Sequence, residues 1–261
     1  MMKKLLSMAA IAAVGVIISC QTDDGLVSDR QVPQSVLDKV HRLGFSNSDV
    51  QFADNGYIVE GDIFLSERDL NSTPDRKLLR IAEVEQYRTN NLVAAPRTIT
   101  VSISSRLPAS YVDALDEALA RYNSENLLLT FTRVSSGAAI SIVKGNGSYL
   151  ASAGFPTSSG EPHNQIKVNS RAIGNQPQST VATILAHELG HCIGFRHTDY
   201  MDRSYSCGGS ATNEGASTVG AVHIPGTPTG PDSGSFMLAC IGSGQNRPFN
   251  NNDKTALSYL Y

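Results

Sequence analysis

Between Thr183 and Tyr200 the chain reads TILAHELGHCIGFRHTDY, which places His187, Glu188, His191 and His197 within eleven residues. Side chains four apart on a helix lie one above the other, so His187 and His191 can aim two imidazoles at one point. A catalytic zinc takes three protein ligands and leaves a place for water. The third candidate, His197, comes six residues after His191. It reaches the same point only if the helix stops and the chain turns back. Gly194 stands where that turn is needed, because a left-handed residue costs other side chains roughly 1–2 kcal/mol. Glu188 lies between the two helical histidines, near enough to take a proton from a zinc-activated water and hand it on. A structural zinc would more often recruit a fourth protein ligand, so the pattern points to catalytic zinc. His41, His163 and His223 have no partners at ligand spacing and read as surface or packing histidines.

Several elements must hold these residues. The motif helix is expected from about Ser179 to Ile193. Before it, TITVSIS from Thr98 alternates as a strand should, and Pro108 to Asn123 carries Val112, Leu115, Leu119 and Tyr122 at helical spacing. LLLTFTRV, AAISIVKG, SYLASAG and NQIKVNS read as four further strands, with SYLASAG at an edge because polar and glycine-rich loops bracket it. Arg203 to Ser235 is rich in Gly, Ser, Thr and Pro without periodicity, and a loop of that length in a compact domain is usually functional. NNDKTALSYLY closes the chain as a short helix. Towards the N-terminus, Gln34 to Leu43 reads as a helix ended by Gly44, and Asn55-Gly56 marks a hairpin. Asn71 to Pro96 is charged, weakly periodic and expected to be a linker.

A length of 261 residues fits one sizeable domain with an appendage. The net charge is −3 and no basic run occurs, which argues against a nucleic-acid partner. MMKKLLSMAAIAAVGVIISC has two lysines, an apolar run and Ser19-Cys20, the layout of a signal peptide. Ile17 to Cys20 resembles the lipobox of bacterial lipoproteins, which makes Cys20 the acylated N-terminus after removal of residues 1–19. The QTDD that follows resembles the acidic surface-export tags of some bacterial lipoproteins. Residues 20–33 are polar and read as a tether. Export places the remaining cysteines in an oxidising compartment. Cys207 and Cys240 lie in loops and are the preferred disulfide, whereas Cys192 falls inside the motif helix and is expected to be buried and free.

HELGHCIGFRHTD resembles the signature of the metzincin metallopeptidases, and is especially similar to the bacterial dual-action HEIGH metallopeptidases. The strand, helix and four strands that precede the motif follow the metzincin order. The resemblance implies an α+β, zincin-like domain with a mixed twisted sheet, two helices, a Met-turn and a C-terminal helix. It makes SFMLAC the Met-turn, with Met237 beneath the zinc histidines, and implies hydrolysis of protein or peptide substrates. Several metzincins carry a tyrosine two residues after that methionine. Here Ala239 stands there, so the tyrosine's role is absent or falls to another residue such as Tyr200 or Tyr205. Asp199 is expected to anchor the turn after His197. VEGDIFLSERDL resembles the propeptide segment of astacins, whose aspartate blocks the zinc, so Asp62 becomes a candidate latency switch.

These readings give a signal peptide over 1–19, a tether over 20–33, a propeptide-like region over 34–97 and a metallopeptidase domain over 98–261. The expected protein is a monomeric zinc endopeptidase, lipid-anchored at the cell envelope, on the outer membrane or cell surface. Substrate is expected to add as a strand along the edge near Tyr149 to Gly154. The alternative reading is a zinc-binding adhesin or interaction module without turnover, which the intact Glu188 disfavours.

Overall fold

The first helix forms because Val36, Val40 and Leu43 share one face of a segment that begins after Pro33. The computed structural model describes residues 31–71, 86–215, 219–228 and 230–261. The leader, Cys20 and all but the last residues of the expected tether lie outside them. Helix α1 (Gln34–Leu43) ends at Gly44, which is left-handed at φ 86°. Strands β1 (Gln51–Ala53) and β2 (Gly56–Val59) form the hairpin expected at Asn55-Gly56, and β3 (Ile63–Ser66) pairs antiparallel with β2. A short helix α2 (Glu67–Leu70) follows, its start capped reciprocally by Ser66 and Asp69. These elements close around a small core of their own that includes Val40, Leu43, Phe45, Val59, Ile63 and Leu65. Phe155 and Val219 from later in the chain pack against that core.

The stretch expected to be a linker is packed over its last part, while residues 72–85 lie outside the described residues. Strand β4 (Tyr87–Arg88) begins the packed part. Thr89 N–H donates to Gly194 O at 2.8 Å, and Arg196 N–H donates to Tyr87 O at 2.9 Å. Tyr87 and Val93 are apolar enough to need cover, and both are buried. Charge in the preceding residues had masked that need.

Strands β5 (Arg97–Ile103), β6 (Leu129–Arg133), β7 (Ile140–Lys144), β8 (Ala151–Ser152) and β9 (Gln165–Val168) make a five-stranded sheet in the order β6-β5-β7-β9-β8. Its neighbours are parallel except β8, which runs antiparallel to β9 at the edge. Helix α3 (Ser110–Asn123) connects β5 to β6, as parallel pairing demands a crossover. A one-turn helix α4 (Ser170–Ile173), unforeseen in the sequence, leads to α5 (Gln178–Ile193). Every residue of α5 from Thr180 to Ile193 is buried, which is why its apolar positions run all round the helix. Tyr122 on α3 donates its hydroxyl to Ala186 O at 2.8 Å and locks the two helices together. Helix α6 (Ser204–Cys207), strand β10 (Val222–His223), which pairs with β4, and helix α7 (Asn251–Leu260) complete the chain. The α+β class read from the sequence is the one observed. Among the described residues no helix is long and apolar enough to cross a membrane.

Candidate active site

Helix α5 delivers His187 and His191 to one face and stops at Gly194, whose φ is 116°. Two demands meet at this glycine. The backbone is left-handed, and a Cβ there would lie 2.8 Å from Leu92 and 3.1 Å from Asn91 O. The turn returns His197, so that His191 Nε2 lies 3.0 Å from His187 Nε2 and 3.2 Å from His197 Nε2.

The opposite ring nitrogens fix the tautomers. His187 Nδ1–H donates to Phe236 O at 2.9 Å and His191 Nδ1–H to Phe195 O at 2.8 Å, since a carbonyl can only accept. His197 Nδ1–H donates to Glu214 Oε1 at 2.8 Å. In their neutral forms the three Nε2 atoms therefore face one another with lone pairs. Such a cluster repels itself unless a cation lies within it. Zinc–nitrogen bonds of about 2.0–2.1 Å in tetrahedral array separate ligand atoms by about 3.3 Å. The observed separations fit that array, and the donor set suits zinc.

A carboxylate joins the cluster. Asp62 Oδ2 lies 3.3 Å from His187 Nε2, 3.1 Å from His197 Nε2 and 4.0 Å from His191 Nε2. The four residues form a buried set whose ligand atoms lie within 4.8 Å of one another. Burial would raise the Asp62 carboxyl, but His197, His187 and His191 outweigh it and hold the group well below its ordinary value. Burial, with His187 and His197 beside it, keeps His191 well below the usual imidazole range. Burial also opposes a charge on His197, yet the Asp62 and Glu214 carboxylates raise it well above that range. The balance calls for positive charge between ionised carboxylates, which a divalent cation supplies.

Glu188 is buried and lines the same cleft as His187 and Asp62. Its Oε2 has no hydrogen-bond partner among the described residues. Burial first, and then the charge of Asp62, raise its carboxyl well above the usual carboxylate range, with His197 opposing. Met237 is buried under α5. A Cβ on Gly190 would lie 2.6 Å from the Met237 sulfur, so the glycine between the two histidines lets the methionine approach. Thr198 N–H donates to Met237 O at 2.9 Å. Asp199 accepts from Ala239 N–H at 2.9 Å and from the Ser206 hydroxyl at 2.5 Å, stitching the chain after His197 to the turn around Met237. Cys207 and Cys240 are bonded to each other, and Cys192 is free and buried.

Of the two tyrosines considered for the vacant role at Ala239, Tyr200 is buried edge-on against Tyr87, at 4.3 Å between ring centroids. Tyr205 directs its hydroxyl to Pro231 O at 3.5 Å. Neither lines the cleft, whereas Tyr149 and Arg203 do. His163 is half-buried beside Gly154, and burial lowers its imidazole to about 4.

Four residues besides the three histidines and Glu188 complete the surroundings. Arg196 pairs with Glu60 at 3.1 Å and lies 3.6 Å from Glu214, all three side chains fully buried. Arg203 reaches Glu214 at 3.1 Å. Glu214 is the sole glutamate between Arg203 and Ser235, a signal that could have marked it.

The edge expected to receive substrate is engaged by the chain itself. Ile63 bridges to Ala153 in parallel sense, with Phe64 N–H donating to Ala153 O at 2.9 Å and Ala153 N–H to Asp62 O at 3.0 Å.

Two solved structures of myroilysin are similar to this chain at a TM-score of 0.43 each. The first is 15% identical and the second 14%, both covering 66% of this chain, with 82% and 86% of the respective partner chains matched. None of the curated proteins compared matches the sequence. The family model described as dual-action HEIGH metallo-peptidase matches residues 58–261, from the strand before Asp62 to the last residue. With three histidines converging at zinc spacing within that match, the chain belongs to the dual-action HEIGH metallo-peptidases, a family of zinc metallopeptidases.

Proposed function

We propose that the chain is an exported, lipid-anchored zinc endopeptidase held latent by its own N-terminal segment. The observation that carries this reading is the arrangement at the metal-facing atoms, where three Nε2 lone pairs and Asp62 Oδ2 converge. His187, His191 and His197 would hold zinc, each oriented by the acceptor at its Nδ1. Bound there, zinc supplies a Lewis acid that polarises a peptide carbonyl and acidifies water. Glu188 takes the proton of the attacking water on its unpartnered Oε2 and then gives it to the departing amine. Met237 keeps the floor beneath α5 filled. Once Ile63 and Phe64 have left the edge beside β8, the substrate backbone adds there as an extended strand.

Latency follows from two contacts made by one short segment. Asp62 takes the place that a catalytic site keeps open, and Ile63 with Phe64 takes the edge of β8. Residues 34–97 then act as a propeptide, and cutting between Asn71 and Arg97 would release the segment. Cys20 would carry the lipid after loss of residues 1–19, with 20–33 as tether, and the protein works as a monomer outside the cytoplasmic membrane.

The test compares the intact chain, its Asp62→Ala form and the same form with Glu188→Ala, on a denatured protein substrate with and without chelator. Cleavage is expected from Asp62→Ala alone, abolished by Glu188→Ala and by chelation. A zinc-loaded Asp62→Ala chain no more active than its parent sinks the latency reading. Cys20→Ala is expected to move the protein from the membrane fraction to the soluble one.

A further inference from the structure

The N-terminal segment brings a second carboxylate into the site. Glu60 is buried, and its Oε2 lies 3.1 Å from an Arg196 nitrogen while its Oε1 accepts from Ser46 N–H at 3.1 Å. Glu60 adopts φ 55°, a left-handed conformation that non-glycine residues enter at a cost, to bring that carboxylate to Arg196. The Arg196 guanidinium lies between two rings, Phe45 at 5.4 Å and Tyr200 at 5.5 Å. Arg203 lies at the cleft and covers Gly61, where a Cβ would sit 3.0 Å from its guanidinium.

The charges divide unevenly between the segment and the rest. Arg196, Arg203, Glu214 and Tyr200 belong to the body of the enzyme, while Glu60 and Phe45 belong to the segment. When the segment leaves, Arg196 keeps Glu214 and the carbonyls of Gly215 and Gly220 but loses its closest carboxylate and one of its two ring covers. Glu214 is then shared among His197, Arg196 and Arg203. The vacated volume is shaped around a carboxyl group and has a guanidinium at its base.

We propose that the pocket filled by Glu60 is a substrate subsite for an acidic side chain, with Arg196 at its base and Arg203 at its mouth. The proposal rests on the latency reading, in which Glu60 stands in for a substrate side chain beside the metal-facing residue. Two residues of chain span at most about 7 Å, so the acidic side chain belongs within about two residues of the scissile bond.

The test uses the full chain carrying Glu60→Ala and Asp62→Ala, which empties the pocket and frees the metal together. Its zinc-loaded form is incubated with a peptide library, and cleavage sites are read by mass spectrometry. Glutamate and aspartate are expected to exceed glutamine and asparagine roughly tenfold at one position within two residues of the cut, as a charge-assisted pair implies. Adding Arg196→Met is expected to abolish that excess. Adding Arg203→Gln instead is expected to reduce it, and this partly exposed position keeps the test decisive if Arg196→Met does not fold. Cleavage without acidic excess, or an excess that survives the arginine changes, overturns the subsite and leaves latency standing. Silence from the doubly opened, zinc-loaded chain overturns the latency reading and the subsite with it.

Discussion

At the metal-facing atoms, a proton on the wrong nitrogen would undo the site. Each imidazole has its Nδ1–H claimed, by Phe236 O, Phe195 O or Glu214, which leaves Nε2 free to bind. Glu214 differs from the two carbonyls because it brings charge as well as an acceptor. Glu214→Gln keeps an acceptor for His197 but removes the charge shared with Arg196 and Arg203. Zinc affinity is expected to fall roughly tenfold to a hundredfold, measured by competition with a chromogenic chelator. Unchanged affinity would reduce Glu214 to a packing residue. Glu188 has the opposite profile, since it lines the cleft and its Oε2 has no hydrogen-bond partner among the described residues. In the opened Asp62→Ala chain, Glu188→Ala is expected to lower peptide hydrolysis by about 10²–10⁴-fold with zinc content unchanged.

At the scale of elements, the motif helix was legible because its instructions are local. The four-residue spacing of His187 and His191, the break at Gly194 and the return at His197 all lie within one short stretch. The strands from Thr98 and the closing helix were legible for the same reason, through alternation and through the Asn and Asp residues at the helix start. What stayed hidden depends on distant partners. Glu60 and Arg196 lie 136 residues apart, and no periodicity announces a buried ion pair. Strand β4 has two residues and exists because β10 pairs with it. The loop after Arg203 carries Glu214 without regular structure to hold it, and the Cys207–Cys240 bond anchors one part of that loop beside Met237. The bond spans a sequence separation of 33 residues, for which loop-closure entropy gives about 3–4 kcal/mol. Reduction, or Cys207→Ser with Cys240→Ser, is expected to lower stability by about that amount in chemical denaturation. Zinc release should quicken as well, because Glu214 is carried by the loosened loop. A stability loss that leaves zinc release unchanged would separate the disulfide from the metal site.

At the scale of the whole molecule, two cores meet at the metal. One is built on the five-stranded sheet with α3 and α5, and the other on the N-terminal hairpin with α1. Asp62 touches both, since its backbone belongs to the hairpin side and its carboxylate to the histidines of α5. Whatever binds the histidines and also Asp62 therefore favours docking of the segment, and by linkage docking favours the metal to the same extent. Removing zinc is expected to weaken the seam between the cores before it melts either one. Hydrogen exchange can read that order. On chelation of the intact chain, the amides of Phe64 and Ala153, which join segment to β8, should exchange faster. The amides that pair β2 with β3 should change little, because Val59, Ile63 and Leu65 keep their own core. Asp62→Ala should show the same loosening with zinc still present, since the link through the carboxylate has gone. If chelation instead leaves Phe64 and Ala153 as protected as before, the metal does not hold the segment, and the linkage between docking and metal binding fails.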